Sequence, residues 1–133
     1  MTKKKQLVVI GNGMVGHKFL QAMTQSDSMQ EYQITTFCEE SRLAYDRVQL
    51  SAYFSGKTEE DLSLVEPDFF KNNNITVHIG DRASIIDRKS KTVTSDKGVT
   101  LAYDKLVLAT GSFPFVPPIP GNERDNCFVY RTI

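Results

Sequence analysis

Residues 11–16 read G-N-G-M-V-G, and this short stretch decides the fold. It follows residues 6–10, Q-L-V-V-I, an apolar run with branched side chains that is typical of a buried strand in a parallel sheet. Apolar side chains then recur at helical spacing, at Val15, Phe19, Ala22 and Met23. The glycine stretch is therefore predicted to be the turn between a buried strand and an amphipathic helix.

The three glycines of this turn have separate predicted roles. Gly11 allows the tight turn, Gly13 leaves room for a diphosphate to approach the backbone, and Gly16 lets helix and strand pack closely. The N–H groups of the first helical turn and the helix dipole favour phosphate charge. The context of strand, glycines and helix predicts a dinucleotide site. A tight turn that binds no ligand is the alternative interpretation.

Two acidic residues follow the second predicted strand. Residues 33–38 read Q-I-T-T-F-C, and Glu39 and Glu40 come directly after them. A carboxylate at this position can accept hydrogen bonds from both hydroxyls of a ribose. Because side chains alternate along an extended chain, one of the two should face the ligand and the other the solvent. A solvated acidic pair at a strand end is the alternative.

The remaining pattern predicts an α/β fold. Residues 39–56 are predicted to form a functional loop, and short helices are predicted to begin near Thr58 and Pro67. Further strands are predicted at residues 75–79, 83–87, 92–95, 99–102 and 105–109. Four prolines within residues 114–120 exclude a helix or a central strand there. We expect a Rossmann-like three-layer fold, with a parallel sheet, helices and a small antiparallel β-meander.

Composition excludes several classes of function. Lys plus Arg equals Asp plus Glu at 16 each, which argues against a nucleic-acid-binding surface. We find no apolar run of the roughly 20 residues that a membrane span needs. The apolar run after Lys3, Lys4 and Lys5 stops at Gly11, too early for a secretory signal, so a cytoplasmic protein is expected. The two cysteines have neither redox-pair nor metal-ligand spacing.

Two later stretches resemble known flavoproteins. Residues 103–111, Y-D-K-L-V-L-A-T-G, resemble the A-T-G strand motif of flavoproteins with two dinucleotide-binding domains. The resemblance implies that Ala109, Thr110 and Gly111 lie near FAD. Residues 44–51, A-Y-D-R-V-Q-L-S, resemble a loop of ferredoxin-reductase-like flavoenzymes whose arginine contacts FAD. That role falls on Arg47, whereas Ala52 stands where those enzymes often have a lysine.

From end to end, the chain most resembles the N-terminal FAD-binding region of the NAD(P)H-dependent nitrite reductase large-subunit family. The resemblance rests on G-N-G-M-V-G-H, F-C-E-E, D-L-S-L-V, A-T-G-S-F-P-F-V-P-P-I-P-G and C-F-V-Y-R-T-I. It implies that residues 80–87 cover the adenine, with backbone contacts from Ala83. The predicted cofactor-binding residues are Gly11, Asn12, Gly13, Met14, Val15, Gly16, Glu39, Glu40, Arg47, Ala83, Ala109, Thr110 and Gly111.

The resemblance also implies what this chain does not hold. An iron–sulfur cluster needs four thiolates, and the chain has two cysteines, so sirohaem and the cluster would lie outside it, as would the NAD(P)H site. We expect residues 1–112 to be the first part of an FAD-binding domain. Residues 113–133 are expected to be an exit segment towards an NAD-binding domain. The partners implied are FAD, the remaining domains of the polypeptide and a small subunit, without nucleic acid or membrane.

Catalytic side chains are not predicted in this chain. The expected role is to hold FAD while electrons pass from NAD(P)H towards nitrite-reducing centres elsewhere. His17 is expected to face solvent from the helix, and His78 to be structural within its strand. Two alternatives stay open: a ferredoxin or rubredoxin reductase that depends on FAD and NAD(P)H, and a non-catalytic nucleotide-binding domain.

Overall fold

A four-stranded parallel sheet forms the centre of the chain, in a computed structural model that describes residues 2–133. Its strands are β1 (Lys5–Ile10), β2 (Tyr32–Cys38), β3 (Thr76–Ile79) and β7 (Lys105–Leu108), in the order β3-β2-β1-β7. The helix α1 (Met14–Thr24) connects β1 to β2, followed by a short 3₁₀ helix at Asp27–Glu31. The predicted strand, glycine turn and helix are confirmed.

The two faces of β1 build two separate cores. Leu7 and Val9 pack with Leu20 of α1 and with Phe70 of the short helix α3 (Phe69–Asn72). Val8 and Ile10 point to the opposite face, where Phe37 of β2 joins them. Because successive side chains of a strand alternate between faces, an apolar run of this kind is buried on both sides.

An antiparallel meander covers the second face. It consists of β4 (Ala83–Asp87), β5 (Thr92–Ser95) and β6 (Thr100–Ala102), in the order β4-β5-β6. Val93 of β5 is fully buried against the β1 core. Helices, parallel sheet and meander thus form the three layers that the sequence predicts.

A buried carboxylate joins the parallel sheet to the meander. Asp81 is 3% exposed; its backbone N–H donates to the carbonyl of Cys38 at 2.9 Å. Its side chain accepts hydrogen bonds from Ser95 Oγ at 2.7 Å and from the Lys97 backbone N–H at 3.1 Å. Buried carboxylates are tolerated only when they are hydrogen-bonded in this way.

The loop predicted at residues 39–56 contains more helix than the sequence suggested. A 3₁₀ helix occupies Arg47–Ser55, and its N-cap Asp46 accepts hydrogen bonds from the backbone N–H groups of Val48 and Gln49. Thr58 caps α2 (Glu59–Leu62) in a capping box with Asp61, as its sequence position predicts. The helix predicted to begin near Pro67 begins at Phe69, after Asp68 in a left-handed conformation.

The proline-rich segment after β7 is irregular, as predicted. Residues 109–119 contain neither helix nor strand, and only turns occur at residues 120–126. The end of the chain contacts the Arg47 loop, where Ile133 packs on the cluster of Tyr45, Leu50 and Leu62. Among residues 2–133, no helix combines the length and apolar character needed to cross a bilayer.

Candidate functional site

The candidate site lies where the parallel sheet reverses its strand order. The chain leaves β1 for its neighbour β2, while β7 pairs on the other side of β1. Ligands of open α/β sheets bind at such a switch point, beyond the carboxyl ends of the strands. Here the glycine turn follows β1, and Ala109, Thr110 and Gly111 follow β7. Both predicted segments therefore meet at the same edge of the sheet, where Gly11 approaches the carbonyl of Ala109.

Gly11 and Gly16 are required by packing. A Cβ atom built on Gly11 would lie 2.1 Å from the carbonyl oxygen of Ala109, and the Gly11 φ of +106° also disfavours a side chain. A Cβ atom built on Gly16 would lie 2.2 Å from the carbonyl oxygen of Gly11. The two glycines let β1, β7 and α1 approach one another. Packing alone therefore accounts for glycine at these two positions, without a ligand.

Gly13 has a different environment. A Cβ atom built there would meet no atom within 4 Å in the described part of the chain, and its φ of −93° is open to any residue. As N-cap of α1, Gly13 offers no side chain to satisfy the first helical N–H groups. Open space in front of an uncapped helix N-terminus fits an anion such as the diphosphate of FAD.

Asn12 lies buried beneath this space. It is 6% exposed, and its Oδ1 accepts a hydrogen bond from the backbone N–H of Ala44 at 3.1 Å. Its Nδ2 has no hydrogen-bond partner among residues 2–133. A buried amide donor without a partner fits an acceptor supplied by a ligand. The Ala44 contact also ties the Arg47 loop to the glycine turn.

The predicted apolar stripe of α1 is confirmed in part, because Phe19 and Met23 pack against the core. Val15 is 73% exposed, Met14 lies at the surface beside it, and Ala22 is also exposed. The buried residues of α1 are Gly16, His17 and Leu20. The first turn of α1 therefore leaves its two apolar side chains, Met14 and Val15, at the surface and not in the core.

The prediction for His17 was wrong. The imidazole is 2% exposed and packs edge-on against Phe69 at 4.8 Å between ring centroids. Neither ring nitrogen has a hydrogen-bond partner in the part of the chain that the structure describes. Burial lowers the pKa of His17, and the backbone of Leu64 acts weakly in the opposite direction. His78, by contrast, stacks on Phe37 at 4.9 Å within the sheet, a packing role.

The structure distinguishes the two acidic residues after β2. Glu39 is exposed, and its only ion pair among the described residues is a long one, 3.9 Å to Nε of Arg82. Glu40 is half-buried and receives hydrogen bonds from Arg47 Nη2 at 2.5 Å and from the Tyr45 hydroxyl at 2.7 Å. The Glu39 carboxylate is thus free to accept hydrogen bonds from a ligand, whereas Glu40 already accepts hydrogen bonds from Tyr45 and Arg47 of the loop.

The turn before β4 lies beside the same strand end. The backbone N–H of Gly80 donates to the carbonyl of Glu40 at 3.0 Å. Ala83 begins β4 at an irregular position of its pairing with β5. Cys38, at the end of β2, donates its thiol to the carbonyls of Glu40 and Arg42. Burial, and then the charge of Glu40, raise the pKa of Cys38 to about 11, so its thiol stays protonated.

Arg47, predicted to contact FAD, is held by neighbouring residues of the chain. Its guanidinium lies 5.0 Å from the centre of the Tyr45 ring, and Nη1 donates to the carbonyl of Arg131 at 2.5 Å. Burial, and then the hydrogen bond to Glu40, raise the pKa of Tyr45, so its hydroxyl remains a donor.

Arg131 was not among the predicted site residues, although the structure brings it next to Gly111. Its guanidinium donates to the carbonyl of Ser112 and lies 3.6 Å from the position of a Cβ on Gly111. The residue is distant in sequence from the glycine turn, within a segment that was expected to lead away. Its position could have been suspected from the sequence, because Arg131 lies in C-F-V-Y-R-T-I, one of the stretches that resemble the nitrite reductase family.

The comparisons with known proteins agree with this geometry. Residues 5–133 match the family model described as pyridine nucleotide-disulphide oxidoreductase. The chain is 51% identical over 130 residues to the nitrite reductase (NADH) large subunit of Escherichia coli (strain K12), covering 98% of this chain and 15% of that protein. It is 50% identical to the nitrite reductase [NAD(P)H] large subunit of Klebsiella oxytoca, covering 98% of this chain and 14% of that protein.

Solved structures share the fold. NADH:rubredoxin oxidoreductase from Clostridium acetobutylicum superposes with a TM-score of 0.76 at 28% identity, over 89% of this chain and 30% of that one. The chain thus spans a small part of the proteins it resembles. The family match covers nearly the whole chain and agrees with the glycine turn and the three-layer architecture. The chain therefore belongs to the pyridine nucleotide-disulphide oxidoreductase family.

Proposed function

We propose that this chain forms the FAD-binding part of an NAD(P)H-dependent nitrite reductase large subunit. The observation that carries the FAD assignment is the open space at Gly13, between two glycines whose Cβ positions are blocked by backbone. Packing alone would require Gly11 and Gly16 but would leave position 13 unrestricted. A glycine that the fold does not need, in front of a helix N-terminus, favours a diphosphate at that position.

The proposed cofactor contacts divide into three groups. Backbone N–H groups of residues 12–16 and the amide of Asn12 would bind the diphosphate. The ends of the neighbouring strands would enclose the remaining cofactor through Ala83, Ala109, Thr110 and Gly111. Arg47 and Arg131 would supply positive charge, Arg131 being an addition from the structure. When bound, FAD supplies the redox chemistry by accepting a hydride and releasing electrons singly, whereas the protein supplies position and electrostatics.

Glu39 is the proposed ribose ligand, in preference to Glu40. Its carboxylate follows the last residue of β2 and is exposed, so both oxygens can accept from ribose hydroxyls. Glu40 already accepts from Arg47 and Tyr45. Glu39 would also disfavour a phosphorylated ribose through charge repulsion. The choice between the two acids was open from the sequence alone.

The whole-protein activity rests on the relatives. Two relatives at 51% and 50% identity are named nitrite reductase large subunits, and this chain corresponds to 15% and 14% of them. The reaction proposed for the complete protein is electron transfer from NAD(P)H through FAD to a nitrite-reducing centre. Residues 1–112 would be the first part of the FAD domain, and residues 113–133 would lead towards the NAD(P)H domain.

The sirohaem and iron–sulfur cluster of such an enzyme do not fit this chain. It has two cysteines, and residues 2–133 contain no cluster of three or more His, Cys, Asp or Glu that could hold a metal ion. We therefore place the nitrite-reducing centre in other domains of the polypeptide. The partners proposed are those domains and a small subunit, and the proposed location is the cytoplasm, where NAD(P)H is the reductant.

The test is a reconstitution of the protein expressed from its complete reading frame. The purified protein should contain FAD and should oxidise NADH or NADPH in a manner that depends on nitrite, with ammonia as product. A flavin-free protein that cannot be reconstituted would contradict the FAD assignment. Flavin reduction by NAD(P)H without nitrite consumption would contradict the nitrite reductase assignment alone.

A second candidate is a reductase of ferredoxin or rubredoxin. It is favoured by the structural similarity to NADH:rubredoxin oxidoreductase, at a TM-score of 0.76. The same preparation distinguishes the two, because that enzyme would reduce an iron–sulfur protein acceptor and leave nitrite untouched. A non-catalytic nucleotide-binding domain, the third alternative, would show neither reaction and no flavin reduction by NAD(P)H.

A further inference from the structure

A closed group of three side chains lies beside the glycine turn. Glu40 accepts hydrogen bonds with both carboxylate oxygens: Oε1 from Arg47 Nη2 at 2.5 Å and Oε2 from the Tyr45 hydroxyl at 2.7 Å. Arg47 in turn lies 5.0 Å from the Tyr45 ring centre. Each member thus contacts the other two, and Arg47 and Glu40 are 19% and 29% exposed in their side chains.

This group is linked to the segments that follow both β1 and β7. Arg47 Nη1 donates to the backbone carbonyl of Arg131, whose guanidinium donates to the carbonyl of Ser112, just after β7. On the other side, the backbone N–H of Ala44, next to Tyr45, donates to Asn12 in the glycine turn. Contacts through Arg47 and Tyr45 therefore connect Glu40 to the segment after β7 and to the glycine turn after β1.

Arg47 would bind an anionic ligand more tightly if its side chain were already fixed in orientation. A guanidinium carries five N–H donors in a planar arrangement, and its long side chain loses considerable rotamer freedom when a ligand orders it. Two of its terminal nitrogens here already have fixed acceptors, which leaves further N–H groups for a ligand. An arginine held in this way is ordered before the ligand arrives, so ligand binding requires less ordering.

We propose that Glu40 is a positioning residue for FAD, which acts by holding the Arg47 guanidinium at the diphosphate end of the cofactor and does not itself bind the ribose. This inference rests on the proposed FAD function and deepens it. It gives adjacent glutamates different tasks: Glu39 contacts the cofactor, whereas Glu40 acts through Arg47.

This role for Glu40 and simple charge repulsion predict opposite effects of a Glu40 substitution on FAD binding. Glu40 places a negative charge near an anionic diphosphate, so replacing it with a neutral side chain should strengthen FAD binding if Coulomb repulsion dominates. If the fixed orientation of Arg47 dominates, the same replacement should weaken FAD binding. The sign of the effect of Glu40→Gln therefore separates the two explanations, since glutamine keeps the shape and removes the charge.

The experiment measures the dissociation constant of FAD for the apoprotein made from the complete reading frame, by quenching of flavin fluorescence. We compare wild type, Glu40→Gln, Arg47→Met and the double variant, with Glu39→Gln alone and combined with Arg47→Met as the matched control. Glu40→Gln should weaken binding about tenfold or more, as expected when a charged hydrogen bond is lost. In the Arg47→Met background, Glu40→Gln should not weaken FAD binding further. Glu39→Gln should weaken FAD binding equally in both backgrounds.

Each outcome supports or overturns the proposal. Equal or tighter FAD binding by Glu40→Gln would overturn it, as would an undiminished Glu40→Gln loss in the Arg47→Met background. Thermal unfolding of each apoprotein shows whether a variant has lost its fold; Tyr45→Phe, which removes only the second hydrogen bond to Glu40, then provides a milder test and should weaken binding less. Failure of wild type to bind FAD would refute the proposed function itself, and this inference with it.

Discussion

The carbonyl oxygen of Ala109 occupies the position where a side chain on Gly11 would begin, 2.1 Å from the ideal Cβ site. The two residues follow β1 and β7, adjacent parallel strands of the sheet. The glycine turn is therefore part of the packing of the sheet as well as part of a ligand site. Some substitutions within the turn should therefore lower the free energy of unfolding, and others should weaken FAD binding without affecting stability.

Gly11→Ala should destabilise the fold strongly. The new methyl group would overlap with backbone atoms, which cannot move as a flexible side chain can, and the φ of +106° adds strain. We expect a loss of about 2–5 kcal/mol in the free energy of unfolding, measured by urea denaturation.

Gly98→Ala is the matched control, because Gly98 has a φ of +83° but no atom of the described chain within 4 Å of its Cβ position. The loss in the free energy of unfolding of this variant measures the strain of a positive φ alone, about 1–2 kcal/mol. Equal losses for the two variants would contradict the steric account of Gly11.

The stability of the protein should fall below about pH 6.5 partly because of His17. Burial lowers its pKa in the folded state from the usual 6.5, so the unfolded chain binds the proton more readily. The stability that neutral His17 contributes is complete above pH 6.5 and is lost as the pH falls towards the pKa of His17 in the folded state. Over this range, the free energy of unfolding falls by at most about 1.4 kcal/mol per pH unit because of His17. His17→Phe should show a shallower decrease in the free energy of unfolding between pH 7 and pH 5. An unchanged slope would show that His17 is not responsible.

The two cysteines should differ in reactivity. Burial and the nearby charge of Glu40 raise the pKa of Cys38 to about 11, whereas Cys127 is exposed. Because the thiolate is the reactive form, a disulfide reagent at pH 8 should modify Cys127 quickly and Cys38 only after unfolding. The Cys127→Ser variant serves as the control and should release almost no chromophore while folded. Rapid labelling of that variant in native buffer would contradict the described burial of Cys38.

The sequence predicted the layers well because each has a strong local signal. The apolar run of β1, the glycines after it and the capping box at Thr58 are patterns that the surrounding structure reinforces. The meander was also predicted, since residues 96–98 supply turn chemistry between two short strands.

The errors lie where tertiary contacts override local pattern. His17 was expected to face solvent because it follows the glycine turn, but Phe69 of α3 packs against its ring. Val15 fits the spacing of an apolar stripe yet is 73% exposed, whereas Phe19 and Met23 of the same stripe pack against the core.

The site was only partly predictable for a related reason. Local sequence cannot reveal which of two adjacent glutamates is engaged, because the answer depends on Arg47 and Tyr45 across the loop. The position of Arg131 depends on the return of the chain after the proline-rich segment, and proline content indicates only that this segment lacks regular structure.

The most direct test of the account is FAD binding by Gly13→Val. The Cβ position of Gly13 lies in open space within residues 2–133, so the apoprotein should keep its fold, with a change in the free energy of unfolding within about 1 kcal/mol. The valine side chain would occupy the diphosphate position, so the variant should lose most of its flavin. A folded Gly13→Val protein that binds FAD as wild type does would contradict the central claim.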